Sequence, residues 1–119
     1  MGLETDALRT RARAFAVQVL RFVRTIPTDA AGSAVARQLA RSGTSVSANY
    51  HSAGQARSRA EFISRLAIVV DEADETVHWL TVIRESDLAT GAGVDRLLAE
   101  SRELRAIFTS ALRTARLRR

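Results

Sequence analysis

Apolar and small residues recur at alternating spacings of four and three in four separate stretches of this chain. Residues so spaced fall on one stripe of a helix, because about 3.6 residues make a turn. The longest stripe is Phe62, Leu66, Val69, Ala73, Thr76, Leu80 and Ile83, widened by Ile63, Val70 and Val77. A face this broad predicts the most buried helix of the fold. Its outer side carries Asp71, Glu72, Asp74 and Glu75. Ser58-Arg59-Ala60-Glu61 opens it as a capping box, with Ser58 as N-cap and Glu61 reaching back to it.

The other stripes follow in chain order. Leu8, Ala12, Phe15, Val19, Phe22 and Ile26 form the first, with Thr5 or Asp6 as cap and Pro27 as stop. Val35, Leu39, Ser42, Val46, Asn49 and Ala53 form the second, starting near Asp29. Two of its positions are polar, and Gly43, Thr44, Ser45 and Ser47 weaken its helix propensity, glycine alone by up to ~1 kcal/mol. Propensity predicts a break near Gly43, and periodicity predicts one continuous helix. Periodicity is the stronger guide, because small residues permit close helix approach and packing overrides propensity. Asn49 on the seam resembles a buried polar residue that sets register. The fourth stripe is Val94, Leu97, Ser101, Leu104, Phe108, Ala111 and Ala115, with Thr90 as cap.

Four amphipathic segments with short connections predict an all-α fold, an antiparallel up-down-up-down four-helix bundle. The helices are expected at roughly 6–26, 30–54, 59–85 and 91–116, in one domain spanning 1–119. A length of 119 residues suits one domain. The chain has no cysteine, which excludes disulfides and thiolate metal sites. Met1–Thr10 lacks the apolar core of a secretory signal, and no apolar run reaches membrane-spanning length. The expectation is a bacterial cytoplasmic protein without a membrane partner.

All 18 basic residues are arginine. Residues 1–60 hold 9 arginines against 3 acids, and residues 61–119 hold 9 against 10. Such asymmetry suits nucleic-acid binding, and it equally suits pairing of a basic half with an acidic half. Arg9, Arg11, Arg13, Arg57, Arg59, Arg116, Arg118 and Arg119 are the candidate phosphate contacts. No aromatic residues interleave them, and the tail arginines also complement a helix C-terminus.

Candidate chemistry is sparse. Glu75-Thr76-Val77-His78 has the Glu-x-x-His spacing of di-iron bundles, but His51, the other histidine, has Ala48 three residues before it. The acids at 71–75 do not converge on one helix face, and Arg37 and Arg41 of the neighbouring helix are their natural partners. Ser42, Ser45, Ser47 and His51 lack a nucleophile elbow, an oxyanion loop and a third member. Trp79 lies beside the main seam, placed for core packing or a subunit contact. No catalytic residue, metal site or cofactor is expected.

The middle of the chain resembles a known family. QLARSGTSVSANY matches the pattern Gln-x-x-Arg-(small)3-Ser-x-x-x-Asn through Gln38, Arg41, Ser45 and Asn49. RSRAEFISRL, with Glu61, Phe62 and Leu66, and DEADETVHWL, with Glu75, extend the match, and Pro27 fits the helix-ending proline. These are features of the bacterial S23 ribosomal proteins, also called 23S rRNA intervening-sequence proteins. Many members carry a glutamate three residues after the asparagine, where this chain has Ser52. The resemblance implies a non-enzymatic four-helix bundle that assembles as a homopentamer, a scaffold or adaptor of unsettled role. A related pentameric family, the accessory variability determinants of diversity-generating retroelements, binds a reverse transcriptase and nucleic acid through basic surfaces. That analogy makes an RNA- or DNA-binding accessory protein the alternative reading.

Overall fold

The computed structural model describes residues 3–118, with side chains from Asp6 onward. Four helices account for nearly all of it: α1 Leu3–Val23, α2 Ala30–Gly54, α3 Arg59–Glu85 and α4 Ala92–Leu117. The connections are short, so each helix turns back along its predecessor. Contacts join α1 to α2, α2 to α3, α3 to α4 and α4 to α1, with α4–α1 the loosest. The backbones of the diagonal pairs α1–α3 and α2–α4 stay apart, and such helices meet only through core side chains, as Tyr50 and Phe108 do. The result is an antiparallel up-down-up-down bundle measuring 48 × 23 × 20 Å. Its axis is filled by Phe15, Val19, Leu39, Leu66, Leu80, Ile83, Leu104 and Phe108, each 2% exposed or less.

The second helix runs unbroken through Gly43. Gly43 is where α2 approaches α1 closely: a Cβ there would sit 3.0 Å from Val19 Cγ1. On the other side, buried Ser42 faces buried Thr76 of α3, with the hydroxyl oxygens 3.0 Å apart. Thr76 Oγ1 is also 2.8 Å from the Glu72 carbonyl, and Ser42 Oγ is 3.4 Å from the Leu39 carbonyl. The weak helix formers therefore sit where α2 must lie close to both neighbours. Packing outweighs the propensity penalty there.

Asn49 departs from its expected role. It is half-buried, and its Nδ2 donates to the Ser45 carbonyl of its own helix at 2.9 Å. Tyr50 takes the inward position and tilts against Phe108, ring centroids 5.0 Å apart. The inward face of this half of α2 is Gly43, Val46, Tyr50 and Ala53, at 3-4-3 spacing, which leaves Asn49 on its edge.

Helix ends follow local chemistry. Asp29 caps α2 by accepting from Gly32 N at 2.8 Å. Ser58 Oγ accepts from Glu61 N at 3.1 Å, as the capping box predicts. Glu61 reaches back one residue further than expected, to Arg57 N at 3.2 Å. Neither Thr5 nor Asp6 caps α1, because both lie within it, and Asp6 pairs instead with Arg9 at 3.5 Å. The first helix ends at Val23, before the expected Ile26. Thr25 N and Ile26 N donate to the Phe22 and Val23 carbonyls, a tightening that folds Ile26 onto the core. Thr90 does not cap α4. Gly91 is its N-cap, with no side-chain hydrogen bond.

Past α3 the chain makes a Schellman turn. Leu88 N donates to the Ile83 carbonyl and Asp87 N to the Arg84 carbonyl. Asp87 holds the left-handed position, φ 61°, where glycine is the unstrained residue. Asp87→Gly is expected to raise stability by about 0.5 kcal/mol, after glycine's extra unfolded-state entropy is subtracted. A lower thermal midpoint would contradict this account of the turn.

Candidate interaction face on the second and third helices

The side chains with the most polar contacts between neighbouring helices meet where α2 lies against α3. Arg41 projects from α2 toward the acidic side of α3. Its Nη1 lies 3.1 Å from Glu72 Oε2, its Nη2 donates to Glu75 Oε2, and its Nε is 3.5 Å from Gln38 Oε1. Glu75 Oε2 also accepts from Trp79 Nε1 at 3.1 Å. His78 is exposed and stands edge-on to Trp79, with centroids 4.8 Å apart. Glu72, Glu75 and Trp79 reach the same groove because spacings of three and four stack them along one side of α3.

Three residues singled out from the sequence, Gln38, Arg41 and Glu75, are thus brought into one cluster. Ser45 and Asn49 continue the same side of α2, one and two turns further on. Glu61 and Phe62 lie at the start of α3, away from the cluster. Of the two arginines expected to answer the acids, Arg41 does so. Arg37 is exposed and makes no ion pair among the described residues, and the same is true of Asp71. Asp74 pairs across the other side of α3 with Arg105 at 2.9 Å. Glu72 was expected as one of the acids facing Arg37 and Arg41, and Trp79 was not singled out as a member of the cluster. Their i and i+7 placement around Glu75 was the available signal.

The cluster is electrostatically closed. Two carboxylates and a glutamine oxygen engage the guanidinium of Arg41 on all three nitrogens, and the two acids neutralise its charge. Glu75 is committed to Arg41 and Trp79. Among the described residues, no group of three His, Asp or Glu side chains gathers as around a metal ion. Ser42 is buried between helices while His51 is exposed, so those two do not come together.

The arginines proposed as phosphate contacts divide into two sets. Arg11 grips Glu100 with two hydrogen bonds of 2.6 and 2.8 Å and reaches Glu103 at 3.1 Å, tying α1 to α4. The hydrogen bonds it donates, to Glu100 first and Glu103 second, hold its pKa above the ordinary arginine value. Arg9 pairs with Asp6. Arg59 donates to the Ala115 carbonyl near the end of α4. That contact places the α2–α3 turn beside the α4 C-terminus, so Arg57, Arg59, Arg116 and Arg118 share one end of the bundle. Arg13 stands exposed on α1. Arg119 lies outside the described residues. At this same end, the loose α1–α4 pairing leaves an open cleft of about 840 Å³, lined by Leu8, Arg11, Tyr50, Arg59, Phe62 and Ala111 among others.

Fold and face together define an antiparallel four-helix bundle that displays a salt-bridged polar groove between α2 and α3. Residues 6–110 match the 23S rRNA-intervening sequence proteins, and the chain belongs to that family. It is similar to the crystal structure of a protein of unknown function from the S23 ribosomal protein family of Bacteroides thetaiotaomicron VPI-5482. The identity is 28% and the TM-score 0.85, over 93% of this chain and 99% of that one. No match was found among curated proteins.

Proposed function

We propose that this protein is a non-enzymatic, self-associating bundle, a homo-oligomer of five copies that serves as a scaffold or adaptor in the cytoplasm. The carrying observation is the closed cluster of Gln38, Arg41, Glu72, Glu75 and Trp79. Its groups hold α2 and α3 in a defined relation and leave no unengaged acid, base or nucleophile in the groove. Such a face suits shape recognition by another protein surface better than turnover of a substrate. No described helix is long and apolar enough to cross a membrane. Size-exclusion chromatography with light scattering tests the reading. The expected mass is about five times the protomer's 13.0 kDa, and a strict monomer at micromolar concentration would overturn it.

A second reading is favoured by one feature. Arg57, Arg59, Arg116 and Arg118 crowd one end of the bundle, which suits an RNA- or DNA-binding accessory protein with a reverse transcriptase as its protein partner. Three or four phosphate contacts would make the log–log slope of affinity against salt about −3. Binding to RNA and duplex DNA that is undetectable, or indifferent to salt, removes this reading.

A further inference from the structure

Self-association requires either one self-complementary surface or two different surfaces that fit each other. The bundle carries two stripes of the second kind. On the outside of α1, Arg13, Val17 and Leu20 follow at 4-3 spacing, which places them on one line, and exposed Arg24 stands in the turn just past the helix end. Val17 and Leu20 are 42% and 44% exposed, and the two arginines beside them make no ion pair among the described residues. On the outside of α3, Ile68, Asp71 and Glu75 follow at 3-4 spacing, with half-exposed Trp79 next in line. Ile68 is 44% exposed, and Asp71 makes no ion pair among the described residues. Together Val17, Leu20 and Ile68 are three of the four large hydrophobic side chains most exposed on the protein.

Each stripe is an apolar pair or single residue edged by charge of one sign, basic on α1 and acidic on α3. Because α1 and α3 are diagonal in the bundle and both stripes face outward, the stripes cannot satisfy each other within one copy. We infer that the Arg13–Val17–Leu20–Arg24 stripe of one copy docks on the Ile68–Asp71–Glu75 stripe of a second copy. Val17 and Leu20 cover Ile68 and the Trp79 edge, while an arginine of the α1 stripe meets the unpaired Asp71 carboxylate. Two α1 stripes face to face would set arginine against arginine, and two α3 stripes would set acid against acid. Like-charge apposition therefore selects the unlike pairing. Such a contact is head-to-tail, so it builds a closed ring when its rotation closes. The inference rests on the self-association proposed above and names the surfaces that carry it. It also places the Arg41–Glu75 cluster at the edge of the contact, where it holds Glu75 and Trp79 in position for the neighbouring copy.

The experiment uses the full chain in two variants, Val17→Glu/Leu20→Glu and Ile68→Asp, with light scattering at micromolar concentration. All three substitutions are at exposed positions, and circular dichroism checks that helicity is kept. Alone, each variant is expected to fall to the protomer mass of 13.0 kDa. Mixed in equal amounts they are expected to recover a dimer and nothing larger, since one live α1 stripe meets one live α3 stripe. A mixture that stays monomeric, or single variants that keep the wild-type mass, overturns the inference and leaves self-association standing. A monomeric wild type removes self-association itself, so the two failures are distinct. Asp71→Arg gives an independent reading that leaves every core side chain in place. Dissociation at least tenfold easier is expected, and unchanged dissociation overturns the charge matching.

Discussion

Phe108→Ala is expected to cost about 3–5 kcal/mol of folding stability, the range for truncating a large, fully enclosed aromatic side chain. Phe108 is 0% exposed and lies on α4 where Tyr50 of α2 tilts against it at 51°. Truncation removes buried area, opens a cavity and deletes an aromatic pair, the last worth about 0.5–1.5 kcal/mol by itself. The value should fall toward the upper part of the range. The α4–α1 pairing is loose here, but the Arg59–Ala115 contact ties α3 to α4 at this end, so the gap cannot readily close. Denaturant unfolding at fixed protein concentration measures it, as a lower midpoint with unchanged slope. A loss below about 1 kcal/mol would show that this end of the bundle is not packed as described.

Gly32→Ala is expected to destabilise by about 3 kcal/mol, against the direction that helix propensity predicts. Gly32 lies in the first turn of α2, where alanine should gain up to about 1 kcal/mol over glycine. A Cβ there would stand 1.8 Å from the Pro27 carbonyl oxygen and 2.8 Å from its carbon. Both atoms are backbone and cannot rotate aside. Clearing them means moving the turn between α1 and α2. That turn also holds the Asp29 cap on Gly32 N and the seat of Ile26, 3% exposed. Sterics therefore exceed propensity, and the thermal midpoint should fall by roughly 10 °C, on the order of 4 °C per kcal/mol for a domain of this size. A raised midpoint would show that the turn yields easily.

The expected bounds of the second and third helices agree with the structure because each has a side-chain cap written into its sequence: Asp29 and Ser58 are strong local signals. The start of α4 has no such signal. Its N-cap is a glycine at φ 97°, and Thr90, chosen on residue type, is passed over. Asn49 was placed inward by extending the line from Ser42, and the rotation of α2 turns the Gly43–Tyr50 line inward beside Leu39, Val46 and Ala53 instead. The Arg41 contact was legible because arginine and carboxylate lie on adjacent helices. Selection of Glu72 and Glu75 over Asp71 depended on how far α3 is rotated about its axis. The Arg11–Glu100 pair joins residues 89 positions apart, and nothing local announces it.

The number, order and length of the helices, and the family, were determined by sequence alone, because periodicity and caps act within a few residues of one another. Tertiary structure decided which polar groups are engaged and which remain outside. Arg41, Glu75, Arg11 and Glu100 are consumed in closing the bundle. Arg13, Arg24 and Asp71 are left beside the exposed Val17, Leu20 and Ile68. That division follows from the rotation of each helix about its axis. It is set by packing Ser42 on Thr76 and Gly43 on Val19, contacts between residues far apart in the chain.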